Sequence, residues 1–120
     1  MKILIVDDSR VMRSIVTRTL RQAGYDDHEV VQAGNGVEAL DVMADEQPDL
    51  VLCDWNMPEM NGIELLRTLR DQGDTTPFGF VTSEGSAEMR QRAEAAGALF
   101  LIAKPFTADV FAEVLEPVLG

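Results

Sequence analysis

"PDLVLCDWNMPEMNG", residues 48–62, decides how the rest of the chain is read. The apolar run that Asp49 leads into, Leu50 to Cys53, has the length of a buried strand. Proline precedes it and a cluster of turn-forming residues follows. Asp54 stands at the strand's end, with Trp55, Asn56, Met57 and Pro58 behind it. A carboxylate against a hydrophobic wall is costly unless its charge is compensated. The stretch thus asks which sheet the strand joins, and what offsets Asp54.

Outward from it, short apolar runs alternate with segments of helical period. "KILIV" (2–6), "EVVQA" (29–33), "DLVLC" (49–53), "FGFVT" (78–82) and "ALFLIA" (98–103) read as strands. The fourth is unusual for the glycine inside it. Met12, Ile15, Val16, Thr19, Leu20 and Ala23 lie on one face of a helix ending at Gly24. A second helix spans about 37–44, with Asn35 as N-cap and Val37, Leu40 and Met43 or Ala44 inward. Leu65, Leu66 and Leu69 face inward from a helix over 62–72. A polar, Ala-rich helix covers 86–96, and the last, 107–119, carries Val110, Phe111, Val114, Leu115, Val118 and Leu119 at helical spacing. Alternating strands and helices predict right-handed crossovers and an α/β fold with a parallel sheet covered on both faces.

At 120 residues the chain has the size of one domain. Neither a signal peptide nor a membrane span is legible in "MKILIVDD". A single cysteine, Cys53, excludes an internal disulfide and a cysteine-based zinc site, and suits a reducing, cytoplasmic setting. The net charge of −11 argues against direct contact with nucleic acid or an anionic membrane.

In an open parallel sheet, ligands bind beyond the carboxyl ends of the strands. Strand one ends in Asp7 and Asp8, strand three in Asp54, strand four in Thr82, Ser83 and Glu84, and strand five in Lys104 and Pro105. Three carboxylates packed together raise one another's pKa unless a cation is present. Oxygen donors without His or Cys suit a hard divalent ion, Mg²⁺ first. An ionised aspartate beside Mg²⁺ and a lysine is equipped to accept a phosphoryl group, since carboxylates form aspartyl phosphates. Taken singly, each residue has a plainer reading: Asp8 as a helix cap, Thr82 as a satisfied hydroxyl, Lys104 as a solvated surface lysine.

Together, "DD" (7–8), "DWNMPEMNG" (54–62), "VTSE" (81–84) and "KPF" (104–106) resemble the receiver domains of two-component response regulators, over essentially the whole chain. Within that family the stand-alone chemotaxis regulators are most similar. The resemblance implies a doubly wound, flavodoxin-like (βα)5 sheet of order 2-1-3-4-5 and one receiver domain over 1–120 with no output domain. It implies Asp54 as phosphoacceptor, supplied by a sensor histidine kinase. Mg²⁺ would lie on Asp8, Asp54 and the backbone carbonyl of Asn56, with Asp7 acting through water. Thr82 and Lys104 would engage the phosphoryl group, the Lys104–Pro105 bond would be cis, and Asn56 and Glu84 would border the attacking-water route. Such a protein is a phosphoacceptor switch rather than an enzyme. Its partners are the kinase, a downstream protein such as the flagellar motor switch, and a phosphatase where one acts.

Leu101, three residues before Lys104, departs from the pattern: chemotaxis receivers usually carry Tyr or Phe there, and the ring turns inward on activation. Phe100 is adjacent but falls on the opposite face of the strand. Two outputs therefore stay open, a chemotaxis switch and a phosphorelay intermediate or phosphate sink. A phosphohydrolase with an aspartate nucleophile would need an acid where Asn56 stands. An FMN carrier would need a phosphate-cradling loop where the chain has "DDSR". Among the remaining residues, Cys53 and most methionines are expected in the core, Trp55 half exposed at the pocket rim, His28 solvated, and Glu38, Asp41, Asp45 and Glu46 on a wet helix face.

Overall fold

A computed structural model describes residues 1–119. Strands β1 (Lys2–Val6), β2 (Glu29–Ala33), β3 (Leu50–Cys53), β4 (Phe78–Thr82) and β5 (Phe100–Ala103) alternate with five helices. These are α1 (Arg10–Gln22), α2 (Gly36–Glu46), α3 (Gly62–Asp71), α4 (Ala87–Ala95) and α5 (Ala108–Leu119). The strands pair in parallel in the order β2-β1-β3-β4-β5, as the resemblance implies.

Side chains alternate across a strand, and the two faces of the sheet separate cleanly. Leu4, Val6, Val51, Cys53, Phe78, Phe80 and Leu101 pack with Ala39 and Met43 of α2, Ile63, Leu65, Leu66 and Leu69 of α3, and Ala93 of α4. Ile3, Ile5, Leu50, Leu52, Val81 and Ile102 pack with Val16 and Leu20 of α1 and Phe111 and Leu115 of α5. Burial on both faces explains why the central strands read as unbroken apolar runs. At the edge, β2 is only partly covered and leaves Glu29 and Gln32 exposed.

Helices begin on side chains that accept from otherwise orphaned backbone N–H groups. Ser9 caps α1, Asn35 caps α2 and Ser86 caps α4. Asn61 and Glu64 form a reciprocal capping box at α3. Two details depart from the periodicity. Val37 is 47 % exposed rather than inward, and Ala39 takes its place in the core. The cause lies one residue earlier: Gly36 runs so close to Met60 that a Cβ would sit 2.8 Å from its side chain. That approach fixes the rotation of α2 and turns Val37 outward. On α5, Val110 is likewise exposed while Phe111 and Leu115 are buried.

The glycine inside β4 has a steric reason. A Cβ on Gly79 would lie 2.1 Å from the ring of Phe100 on the neighbouring strand. The Phe100 ring therefore fills the space above Gly79, on the α1/α5 face. No helix among the described residues is long and apolar enough to cross a membrane.

Candidate functional site

The carboxyl ends of β1, β3, β4 and β5 converge on one edge of the sheet. Ladder-like bonds extend past the strands and hold the residues that follow: Asp54 N–H donates to Val6 O (2.8 Å), Asp7 N–H to Ala33 O (3.2 Å), and Lys104 N–H to Thr82 O (2.8 Å). Beneath the site, Gly62 opens α3 so close to the backbone that a Cβ there would lie 2.4 Å from Asp54 O. Its N–H donates to Trp55 O, which folds the 55–61 loop back over the strand end.

Carboxylate oxygens of Asp7, Asp8 and Asp54 all lie within 4.8 Å of one another. Asp7 and Asp54 are buried and Asp8 is exposed. Lys104 Nζ stands 3.1 Å from Asp7 Oδ2 and 3.7 Å from Asp54 Oδ1. Asp7 Oδ1 also accepts from Ser9 N–H, and Asp54 Oδ1 from Trp55 N–H at 2.8 Å. The Lys104–Pro105 peptide is cis.

Burial pushes the Asp54 carboxyl above the usual carboxylate range. Asp7 and Asp8 push the same way, while Lys104 and the Trp55 N–H oppose. One ammonium thus faces three carboxylates, and the deficit is what a cation would correct. An oxygen-only donor set of this size can hold a metal ion and fits a hard divalent one. Cys53, fully buried with its Sγ–H donating to Asp54 O, is driven well above the ordinary thiol range by burial and by Asp54 and Asp7. It stays a protonated core residue beside the site.

Thr82 is 0 % exposed, and its hydroxyl accepts from Glu84 N–H at 3.3 Å. Above it the Asn56 amide donates to Glu84 Oε1 (3.1 Å), bridging the loops after β3 and β4. Leu101 is buried on the α4 side and Phe100 lies on the other face, as strand alternation requires.

Two expectations are corrected. Trp55 is not at the rim: it is 5 % exposed, with Phe80 at 4.7 Å between ring centroids and the Arg92 guanidinium 5.4 Å from its ring centroid. His28 is half-buried rather than solvated. Its ring packs near Tyr25, Nε2 is 3.6 Å from Asp27 Oδ1, and Nδ1 is buried without a hydrogen-bond partner among the described residues. Arg90 and Arg92 escaped the sequence reading. Arginines on a polar helix carry no periodic signal, and only the fold shows that they turn toward β5 and Trp55.

Comparison with known proteins agrees with this architecture. The sequence model for the response regulator receiver domain matches residues 3–116. A chemotaxis protein CheY homolog of Campylobacter jejuni is 45 % identical over 123 aligned residues, spanning 100 % of this chain and 93 % of the relative. The sporulation initiation phosphotransferase F of Bacillus subtilis is 36 % identical over 115 residues, 96 % of this chain and 90 % of the relative. Among solved structures, the chemotaxis response regulator CheY4 of Vibrio cholerae superposes with a TM-score of 0.84 at 38 % identity, covering 98 % of both chains. Matched along nearly its whole length in sequence and fold, the chain belongs to the family of response regulator receiver domains.

Proposed function

We propose that this chain is a cytoplasmic receiver that takes a phosphoryl group onto Asp54 and thereby changes its binding to another protein. The observation that carries the reading is the acidic triad with one lysine, gathered at the ends of separate strands around a single carboxylate. In the proposed step an Asp54 carboxylate oxygen attacks phosphorus of a phosphohistidine. A P–O bond forms as the P–N bond breaks, and the departing imidazole takes up a proton from solvent. Asp8, Asp54 and the Asn56 carbonyl would hold Mg²⁺, with Asp7 acting through water. The ion supplies neutralisation of the charge on the transferring oxygens. Lys104, already between Asp7 and Asp54, supplies a point charge to the phosphoryl group. Thr82, buried at the end of β4, is the hydroxyl that engages it after the loop carrying Glu84 moves. The Asn56–Glu84 bridge covers the approach of water and sets the rate of hydrolysis.

A sensor histidine kinase is the proposed donor, and chemotaxis, with a motor-switch partner, the leading pathway, since several relatives carry that name. A relay role has its own support in Leu101, which leaves the α4/β5 face without an inward-turning ring, and in the likeness to a sporulation phosphotransferase.

Incubation with acetyl phosphate and Mg²⁺, followed by peptide mass spectrometry, tests the core of this reading. One phosphoryl group on Asp54, abolished by EDTA and by Asp54→Asn, is expected. Equal labelling of the Asp54→Asn protein at another residue would overturn the assignment.

A further inference from the structure

Of the five helices, α4 has the fewest buried side chains: Ala93 is its one buried residue, with Met89 and the capping Ala96 partly covered. Two arginines supply what the apolar face lacks. Arg90 donates from Nη1 to Leu101 O (3.0 Å) and from Nε to Gly85 O (3.3 Å), tying the start of the helix to β5 and to the preceding loop. Two residues on, about half a helical turn away, Arg92 lays its guanidinium over the Trp55 ring. The indole contacts both that cation and the Phe80 ring, and the Trp55 backbone N–H donates to Asp54 Oδ1. A continuous path of contacts therefore runs from the Asp54 carboxylate through Trp55 and Arg92 to α4.

We propose that Arg92 is a coupling residue, its stack on Trp55 passing the chemical state of Asp54 to helix α4. This rests on Asp54 being the phosphoacceptor, as proposed above. While Asp54 is a carboxylate, its bond to the Trp55 N–H is charge-assisted, a class roughly twice as strong as neutral bonds. Phosphorylation of the other carboxylate oxygen, Oδ2, gives an acyl phosphate and leaves a neutral carbonyl oxygen at Oδ1. The Trp55 peptide is then held less tightly, and its ring, confined by Phe80, shifts against the guanidinium. A cation over an indole face is sensitive to such displacement, because the attraction depends on position over the ring. With Leu at position 101, the helix has this route to the site where a turning ring is absent.

Arg92→Met keeps an apolar stem over the indole and removes the cation, while Arg92→Lys keeps a cation without the planar group. Arg92 is exposed, so neither change empties the core. Amide hydrogen exchange of residues 87–96 is measured with Mg²⁺, before and after acetyl phosphate, alongside the mass of the Asp54 peptide and the emission of Trp55, the only tryptophan. In the parent, phosphorylation is expected to change α4 exchange several-fold and to shift Trp55 emission. In Arg92→Met the Asp54 peptide gains the same mass but α4 exchange no longer responds, and Arg92→Lys restores part of the response. An Arg92→Met protein that is labelled and whose α4 responds as the parent does would overturn the coupling. A parent whose Asp54 gains no mass would instead overturn the phosphoacceptor reading, and the coupling with it.

Discussion

Removing the charge of Asp54 should make the fold more stable, although it removes the residue on which the proposed chemistry depends. Asp7 and Asp8 each place a carboxylate oxygen within 4.8 Å of Asp54. At an effective dielectric of about 20, each such pair repels by about 3 kcal/mol. Lys104, 3.7 Å from Asp54 Oδ1, returns about 4 kcal/mol on the same scale. Solvent around the exposed Asp8 weakens its share, and the net penalty on an ionised Asp54 comes to about 1–2 kcal/mol. Burial adds to it, in the direction of the raised carboxyl. Asp54→Asn is therefore expected to stabilise the chelator-treated protein at neutral pH by about 1–2 kcal/mol, or about 3–8 °C in Tm for a domain of this size. The sign follows from linkage. A folded carboxyl raised above its unfolded value binds more protons in the native state, so stability falls as pH rises through the carboxylate range. The advantage of the variant should vanish below that range. Excess Mg²⁺ should reverse the comparison, since at about 100 times its Kd an ion adds about 2.7 kcal/mol to the parent. Urea unfolding with EDTA, with Mg²⁺ and at acidic pH measures all three. An Asp54→Asn protein no more stable than the parent in EDTA at neutral pH would refute the charge accounting and mean that Lys104 alone balances the triad.

Other perturbations test the frame around the site. Gly79→Ala should cost about 1–3 kcal/mol in urea unfolding, because the new Cβ meets the Phe100 ring; in a Phe100→Ala background the same substitution should cost less. Gln47 closes α2 in the left-handed region at φ 48°, so Gln47→Gly should raise stability by about 0.5–1 kcal/mol. Asn61→Ala removes one half of the capping box and should cost about 1 kcal/mol. Lys104→Ala should leave the Mg²⁺ titration midpoint, followed by Trp55 emission, closer to the parent's than Asp8→Ala does.

The fold was legible where burial dictates sequence. β1, β2 and β4 run over the residues that the apolar runs mark out, and the central strands are apolar on both faces because helices cover both. Helix ends shifted by a residue or two where caps, which act through geometry, outrank periodicity. The polar residues expected at the strand ends are brought together as the topology requires, since an aspartate following a parallel strand has one edge to occupy. What escaped depends on contacts distant in sequence. Val37 faces out because Gly36 meets Met60, and no pattern within α2 records that. Trp55, flanked by Asp54 and Asn56, has polar neighbours in sequence and apolar ones in space; Phe80 and Arg92 decide its burial.

The fit between Gly79 and Phe100 also constrains the order in which this sequence can change. A side chain gained at position 79 while the ring is present overfills the space between β4 and β5, whereas a smaller residue at 100 first leaves a gap that position 79 can then fill. Substitutions at the two positions thus meet a different penalty in each order, overpacking in one and a cavity in the other. Exchanging the bulk between the strands requires passing through the loosely packed intermediate, and stabilising changes elsewhere in the core would decide whether that path is open.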